Sequence, residues 1–413
     1  MNVKRFFLIP FAIIAIFACN DDANDDNPVF DTPIELKLST TEMKLTGEGQ
    51  IFGMEFFSAV TAEERDKENI VVSPLSLNMA LAMVWNGANG ETKQAIQKAM
   101  GMSAYSQEEV NAYFKKLKDI LPKTDPTTKL SLANSVWTRQ GFSVKESFYD
   151  INRKWYDAKV SELDFNSSTA KDVINQWCSD NTNGLIKEMI TMIPRDVVMY
   201  LMNALYFKGE WSKNYGFPKS DTHEAGFLQE NGETVKVKMM SQKSEHPYYS
   251  DEYLALTSLP YGNGAYKMVF ILPNGSFDNM IKRLKQPEYL SNCLRGGSKQ
   301  EVNLFVPKFK IEYEGKLNEP LTRMGMGIAF TDFADFSGIS DVSLLISEVK
   351  QKTYIEVNEE GTEAAAVTSI GVDVTSVGPH QPVTFLANRP FLFLIQESSS
   401  GVILFMGKIG KPE

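Results

Sequence analysis

The chain has 413 residues, of which 43% are hydrophobic and 23% are charged, and its formal net charge is −10 at pH 7. This composition argues against disorder and against collagen-like repetition, and the length allows one large domain or two ordinary ones. The negative charge, without any dense block of lysine and arginine, argues against nucleic acid as a partner.

The N-terminus carries the pattern of an export signal. Two basic residues precede an apolar run over residues 6–18, which ends at Cys19 and is too short to span a membrane comfortably. The end of this run, Ile16-Phe17-Ala18-Cys19, resembles the lipobox of bacterial lipoproteins, in which the cysteine is acylated. We therefore expect a lipoprotein signal peptide over residues 1–18 and lipid attachment at Cys19. The alternative is an ordinary secretory signal that happens to contain a cysteine.

An acidic segment follows the signal. Residues 19–40 contain five aspartates and read as a flexible tether, similar to those that send some Gram-negative lipoproteins to the cell surface. We expect an exported protein, lipid-anchored at the outer membrane or cell surface of a Gram-negative bacterium, with secretion or a periplasmic location as alternatives. The lipid is the membrane contact that we expect, and the folded domain is predicted over residues 41–413.

Helix and strand patterns succeed one another beyond the tether. Apolar residues at helical spacing predict a helix over residues 49–66, and Ser73-Pro74 begins a second helix that Gly87 ends. Further helices are predicted over residues 92–100, 108–121 and 169–182. Runs of β-branched and aromatic residues predict strands over residues 130–139, 198–207, 254–260, 267–272, 302–311 and 353–357. Helices followed by mostly adjacent strands favour an α+β domain.

Three lysines fall on the predicted helix over residues 108–121. Lys115, Lys116 and Lys118 are close enough along that helix to contact an acidic polymer. The structural alternative is a solvated helix face, which is the usual role of such a cluster.

The motifs of an enzyme are missing. The three histidines, His223, His246 and His380, are scattered, and none lies in an HExxH pattern. No GxSxG elbow is present. Cys178 and Cys293 show no CxxC spacing, which argues against a metal site and a disulfide scaffold. We predict that the chain is not an enzyme and that it uses neither a metal nor a cofactor.

The segment over residues 359–379 has an unusual composition. If it is extended, alternate residues from Thr362 to Val374 form one face of small or apolar side chains, as in a strand half-buried in a sheet. Gly378-Pro379 is a dipeptide typical of turns and loops, and an exposed loop of this length is normally functional. An alanine-rich helix over residues 362–366 is the alternative. The composition suits two states, an exposed loop and an inserted strand.

Several motifs, in order, resemble those of the serpin family, and the match runs over residues 40–410. They are Asn69-Ile70-Val71-Val72-Ser73-Pro74-Leu75-Ser76, Asn203-Ala204-Leu205-Tyr206-Phe207-Lys208-Gly209-Glu210-Trp211, the loop hinge Glu359-Glu360-Gly361-Thr362-Glu363-Ala364-Ala365-Ala366, and Asn388-Arg389-Pro390-Phe391-Leu392-Phe393. The resemblance implies a serpin-like α+β fold, with several helices on a large central mixed β-sheet, further sheets and an exposed reactive loop. It also implies a protease inhibitor whose cleaved loop enters the central sheet and carries the covalently attached protease with it. We expect a monomer.

The resemblance also assigns residues around the opening of that sheet. They are a polar latch of Ser73, Ser76 and Asn203, the aromatic Trp211 at the top of the opening, and the hinge acid Glu359 with Lys308 as its partner. Gln351 stands in the latch where the family often has a histidine. Glutamine still donates and accepts hydrogen bonds, but it does not titrate.

The bait position follows from the family's usual loop spacing. Counting from Gly361 puts the scissile bond at Thr375-Ser376, with Val374-Thr375 as the alternative. No lysine or arginine lies between residues 352 and 389, so trypsin-like proteases lack an anchor. Threonine and valine suit the shallow apolar pockets of elastase-like serine proteases. A cysteine protease, or an Asp-specific protease that recognises Asp373, is an alternative target.

Three other functions compete with inhibition. They are a serpin that no longer inhibits and acts as a carrier or chaperone, a surface protein that binds glycans, and a hydrolase with an unrecognised arrangement. Non-inhibitory serpins usually have bulky or charged hinge residues, whereas residues 364–366 here are all alanine. The hinge therefore favours an inhibitor.

Overall fold

The computed structural model describes residues 32–362 and 381–412. The nine α-helices in these ranges are α1 (Thr40–Glu63), α2 (Pro74–Trp85), α3 (Gly90–Ala99), α4 (Gln107–Ile120), α5 (Glu146–Tyr156), α6 (Ala170–Asn181), α7 (Phe277–Leu284), α8 (Tyr289–Gly296) and α9 (Asn318–Leu321). The strands are β1 (Asn69–Val72), β2 (Lys129–Arg139), β3 (Lys159–Leu163), β4 (Met199–Glu210), β5 (His223–Leu228), β6 (Thr234–Ser250), β7 (Leu254–Tyr261), β8 (Tyr266–Pro273), β9 (Ser298–Pro307), β10 (Phe309–Lys316), β11 (Lys350–Asn358), β12 (Gly361–Thr362), β13 (Val383–Leu386), β14 (Phe391–Glu397) and β15 (Ile403–Ile409).

The strands form two sheets. One has nine strands in the order β1-β15-β14-β8-β7-β6-β9-β13, with β5 paired to β6. The other has six strands in the order β10-β11-β12-β4-β2-β3. The β2–β3 and β13–β9 pairs are parallel and the other pairs are antiparallel, so both sheets are mixed. The predicted α+β class, with helices on a large mixed sheet, is confirmed.

Capping residues set the starts of the first two helices. The Ser39 hydroxyl accepts from the Glu42 N–H, and the Glu42 carboxylate accepts from the Ser39 N–H. This capping box begins α1 at Thr40, nine residues before the predicted start at residue 49. The prediction missed the first turns of the helix because they are mostly polar and lack the apolar periodicity. Ser73 caps α2, with Pro74 at its first helical position, as predicted.

The last residues of the predicted tether contact the domain. Leu36 is buried, and its N–H donates to the Ser399 hydroxyl at 3.2 Å. The Ile34 N–H donates to the Thr124 carbonyl at 3.2 Å. The chain therefore packs on the domain before the predicted boundary at residue 41.

One predicted strand is wrong. The run over residues 302–311 is divided between β9 and β10, which belong to different sheets. Lys308 lies at the crossing, and its N–H donates to the Lys238 carbonyl at 2.8 Å. The chain changes sheets without a turn, so the β-rich composition continues across the junction and hides it. The other predicted strands are present, with their ends moved by a few residues.

The core lies between the sheets and the helices. Every residue of β14 and β15 is buried, and α1 and α2 pack on β15. A second apolar cluster, which includes Trp137 and Ile174, fixes α6 across β2 and β4. In the described ranges, no helix is both long and apolar enough to cross a bilayer.

Candidate functional site

The six-stranded sheet is interrupted between β4 and β11, and we call this interval the central slot. At one end of the slot, which we call the hinge end, β12 lies between the two strands. Thr362 is opposite Val357 on one side and Gly209 on the other. In residues 32–362 and 381–412, β4 and β11 are joined in the sheet only through β12.

Gly361 occupies a position that admits only glycine. Its φ of 150° is one that residues with a side chain rarely adopt. A Cβ there would lie 2.2 Å from the Gly209 carbonyl oxygen and 2.7 Å from the Glu210 Cα. The chain therefore approaches β4 closely at Gly361.

Thr362 is already inside the sheet. The residue is 3% exposed, and its hydroxyl forms a 2.5 Å hydrogen bond with the Tyr261 hydroxyl. The Tyr261 ring stacks on Trp211, with 4.5 Å between centroids and 13° between planes. Burial raises the pKa of Tyr261 far above its ordinary value, which keeps the hydroxyl protonated. Trp211 therefore lies at the hinge end of the slot, next to the Tyr261 ring that contacts Thr362.

Glu359 forms the ion pair that the resemblance assigns to it. Lys308 Nζ lies 2.8 Å from Glu359 Oε2, and the Thr222 hydroxyl donates to Oε1 at 2.9 Å. Burial acts to raise the pKa of Glu359, but the hydrogen bonds from Lys308 and Thr222 outweigh it, and the pKa lies below its ordinary value. The Phe217 N–H donates to the Glu359 carbonyl at 2.9 Å.

Glu360 is held by a second cation. Lys219 Nζ lies 2.5 Å from Glu360 Oε1, and the Trp211 N–H donates to the Glu360 carbonyl at 2.8 Å. Lys219, Phe217 and Thr222 all belong to residues 212–222, the connection between β4 and β5, which we call the strap. The strap therefore holds both hinge glutamates, through side chains and through backbone. Its role was not predicted, since nothing in its composition marks it.

Further along the slot, Gln351 joins β11 to the start of α2. Its amide nitrogen donates to the Ser73 carbonyl at 3.0 Å, and its amide oxygen accepts from the Ser73 N–H at 2.9 Å. The Ser73 hydroxyl donates to the Leu404 carbonyl and accepts from the Ser76 N–H. Gln351, Ser73 and Ser76 therefore form one hydrogen-bonded network. A neutral amide holds it, so it has no titrating group of its own.

Asn203 forms its hydrogen bond with a different residue from those of this network. Its amide nitrogen donates to Asn134 Oδ1 on the adjacent strand at 2.7 Å. In the described part of the chain, its buried amide oxygen has no hydrogen-bond partner. Asn203 therefore has no hydrogen bond to Ser73 or Ser76 among the described residues, and its assignment to the sheet opening stays a prediction. The motif places these residues near the same slot, but strand pairing with β2 decides their contacts.

The lysines of α4 are paired with carboxylates. Lys116 lies 2.6 Å from Glu42, and Lys118 lies 2.5 Å from Asp157. Lys115 lies 3.4 Å from Asp119, one turn along the same helix. These contacts offset the positive charge, so the geometry favours the solvated face over a site for an acidic polymer.

The histidines and cysteines of the described ranges do not converge. His246 is fully buried, and burial lowers its pKa to about 4, whereas His223 is exposed. Cys178 and Cys293 are buried free thiols, and burial raises the pKa of Cys178 to about 12. No group of metal-binding side chains occurs in residues 32–362 and 381–412.

Several predicted positions lie outside the described residues. They are Cys19, the hinge residues Glu363, Ala364, Ala365 and Ala366, the bait residues Val374, Thr375 and Ser376, and His380. Asp373, the alternative anchor, is among them as well. Their assignments stay predictions.

Comparison with known proteins gives one consistent family. The family model described as "Serpin (serine protease inhibitor)" matches residues 48–412. Leukocyte elastase inhibitor from Bos taurus is 34% identical over 375 residues, which cover 87% of this chain and 97% of the bovine protein. The native-state structure of tengpin, a thermophilic serpin, aligns with a TM-score of 0.82 at 34% identity, over 92% of this chain and 97% of tengpin. Human thyroxine-binding globulin complexed with thyroxine aligns with a TM-score of 0.81 at 28% identity, over 90% and 100% of the two chains.

Proposed function

This chain belongs to the serpin family, and from that premise we propose that it is a suicide-substrate inhibitor of an elastase-like serine protease. Serpins are protease inhibitors rather than catalytic enzymes, although some members, thyroxine-binding globulin among them, do not inhibit. The proposal therefore has to rest on features that an inhibitor needs and a carrier does not.

The observation that carries the proposal is the position of β12 in the central slot. Gly361 and Thr362 pair with β4 and with β11 at once. A chain that continued from Thr362 along the slot would add backbone pairs on both sides, and each net hydrogen bond contributes about 1 kcal/mol. The start of the loop therefore already has the direction that insertion needs.

The two registers predict the neighbours of each inserted residue. Each step along the loop meets the preceding residue on β4 and on β11, and alternate residues share one face. Ala364 would therefore lie between Ile355 and Phe207, which are both buried. A large side chain at this position would clash with packed neighbours, whereas the methyl group of alanine fits.

The same register predicts a polar contact further along the slot. Thr368 would lie between Gln351 and Asn203, on the face that carries both amides. Its hydroxyl is able to donate to Asn203 Oδ1, the buried oxygen that no described residue satisfies. An inserted loop would thus complete the hydrogen bonds of this part of the slot.

The proposed chemistry is an interrupted hydrolysis. The protease serine attacks the carbonyl carbon of Thr375, the bond to Ser376 breaks, and the new amine leaves with the C-terminal fragment. An ester then joins Thr375 to the protease, and water would normally hydrolyse it. Insertion of about 14 residues at roughly 3.3 Å each would carry the protease on the order of 45 Å first. Distortion of the protease during this movement would prevent deacylation.

The location is part of the proposal. Residues 6–18 and Cys19 support export with a lipid anchor at the outer membrane or cell surface of a Gram-negative bacterium. Incorporation of a labelled fatty acid should depend on Cys19, and Cys19→Ser should release the protein from membranes. If the wild-type protein carries no labelled fatty acid and is not bound to membranes, the result would favour an ordinary secretory signal.

The decisive experiment is incubation of the exported chain with pancreatic elastase, followed by denaturing electrophoresis. We expect a complex that survives denaturation, and a released fragment that begins at Ser376, or at Thr375 if the alternative bond is cleaved. An elastase whose catalytic serine is replaced by alanine is the control, because it binds the loop without forming the ester.

A bait variant separates target choice from mechanism. Thr375→Arg should redirect complex formation from elastase to trypsin, since it supplies the basic anchor that the loop lacks. Complex formation by the wild-type chain with trypsin but not elastase would contradict the proposed target class. Complete cleavage by every protease without any complex would instead indicate a non-inhibitory serpin.

A further inference from the structure

Two buried hydroxyls connect the hinge to a distant part of the chain. The Tyr261 and Thr362 hydroxyls form a 2.5 Å hydrogen bond, although the residues are 101 positions apart in sequence. Tyr261 is 0% exposed and Thr362 is 3% exposed. In the part of the chain that the structure describes, Thr362 is the only hydrogen-bond partner of the Tyr261 hydroxyl. Departure of the hinge would leave a buried hydroxyl unsatisfied, which is unfavourable.

Residues outside the hinge also pack on the Tyr261 ring. It stacks on Trp211, and its edge contacts Phe207 with 5.1 Å between centroids. Gly209 leaves room for the ring, because a Cβ at that position would lie 3.0 Å from Tyr261 Cδ1. Packing on three sides therefore sets the position of the hydroxyl before Thr362 arrives. A preorganised partner loses little entropy when the bond forms.

We propose that Tyr261 is a positioning residue that keeps Gly361 and Thr362 docked in the central slot of the uncleaved protein. The purpose of this docking rests on the proposed function. With Gly361 and Thr362 already paired to β4 and β11, insertion extends an existing strand pairing instead of forming its first residue pair. A first pair orders the chain without neighbouring bonds to offset the lost entropy, so it is the slowest pair to form. Docking removes that step from the competition with deacylation.

Hydrogen–deuterium exchange of the uncleaved protein tests the docking without any protease. Tyr261→Phe keeps the ring and removes the hydroxyl, and Thr362→Val keeps the shape of the side chain and removes its partner. Each variant should speed exchange in the peptide that contains Gly361 and Thr362 about fivefold, which corresponds to about 1 kcal/mol. The double variant should exchange no faster than either single variant, because the same bond is lost.

Tyr113→Phe is the matched control. Tyr113 is also buried and its hydroxyl also bonds a threonine, Thr46, at 3.0 Å, but between α4 and α1. It should lose a similar bond and leave exchange at the hinge unchanged. Equal acceleration by Tyr113→Phe would mean that general destabilisation explains the effect, and would overturn the proposal.

Two other results would also overturn it. Unchanged hinge exchange in Tyr261→Phe would show that the hydroxyl does not hold the hinge. Fully multiplicative effects in the double variant, about 25-fold together, would show that the two hydroxyls act separately. If Tyr261→Phe fails to fold, Thr362→Val alone decides the question. Failure to trap elastase would contradict the proposed function. The exchange rates are measured without protease, so that failure would not alter the test of the hinge contact.

Discussion

The hinge end and the middle of the central slot differ in how completely their polar groups are satisfied. At the hinge end, Glu359, Glu360 and Thr362 each have a charged or hydroxyl partner, and the strap adds backbone bonds. In the middle, Gln351 is satisfied by Ser73, but Asn203 Oδ1 has no partner among the described residues. One end holds the short strand β12 between β4 and β11, while the other contains an acceptor that a strand inserted as proposed would satisfy.

This difference indicates where the free energy of insertion resides. Contacts at the hinge end exist before cleavage, so they decide how insertion starts and contribute little to the energy that it releases. Under the proposed mechanism, contacts along the rest of the slot would form only after cleavage, so they would supply the driving force. Changes at the hinge end should therefore alter how protease is partitioned between trapping and release. Changes in the middle should alter how much cleavage stabilises the protein.

The largest effect is expected from Thr362→Arg, which puts a charge where a buried hydroxyl now bonds Tyr261. The arginine would have to leave the slot or be buried, at a cost of several kcal/mol. Insertion would slow by orders of magnitude, and the variant would be cleaved at the same bond and released as a substrate. The number of inhibitor molecules consumed per protease inactivated should rise at least tenfold. Thr384→Arg on the exposed side of β13 should leave that number unchanged.

The next effect is stabilisation after cleavage of the loop by a non-target protease. About ten new backbone hydrogen bonds along the slot would contribute on the order of 10 kcal/mol. A domain of this size shifts its Tm by about 1–2 °C per kcal/mol, so the Tm should rise by roughly 10–20 °C. Calorimetry of intact and cleaved chains measures it. An unchanged Tm would contradict a slot that opens, and cleaved Thr362→Arg should gain much less than the cleaved wild type.

Acid should destabilise the protein through His246, which contacts Tyr215 of the strap with 5.4 Å between ring centroids. Its pKa is about 4 in the folded protein and near 6.5 when unfolded, so the unfolded chain binds an extra proton between these values. Stability therefore falls as the pH drops from 6.5 to 4, by about 3 kcal/mol. Urea unfolding of His246→Phe should lack this slope. His223→Asn, at an exposed position, should retain it.

The smallest effects concern the two hinge ion pairs, and they should be unequal. Lys308→Met removes a partner of the buried Glu359 carboxylate and should cost about 1 kcal/mol. The folded pKa of Glu359 lies below its unfolded value, so this stabilisation is complete above about pH 4.5 and is lost as the pH falls through the folded pKa. Lys219→Met should change stability little, because Lys219 is 63% exposed. Urea midpoints at pH 7 and pH 3 test both statements, and an equal loss in the two variants would contradict them.

Much of the fold could be predicted from local features of the sequence. Ser73-Pro74 marked the start of α2, and runs of β-branched residues marked the long strands, because capping and alternation involve neighbours in sequence. Gly361 was expected at the hinge by resemblance alone, and its φ and its approach to Gly209 now give the physical reason.

The sequence by itself determined the class of fold, the order of most elements, the family and the composition of the hinge. Tertiary structure alone decided that β9 and β10 separate at Lys308, that Asn203 pairs with Asn134, and that Tyr261 meets Thr362. These contacts depend on the register of strands that are distant in sequence, and a shift of one residue would turn each side chain to the other face. Local patterns carry no information about that register, because it is set by packing of the whole sheet.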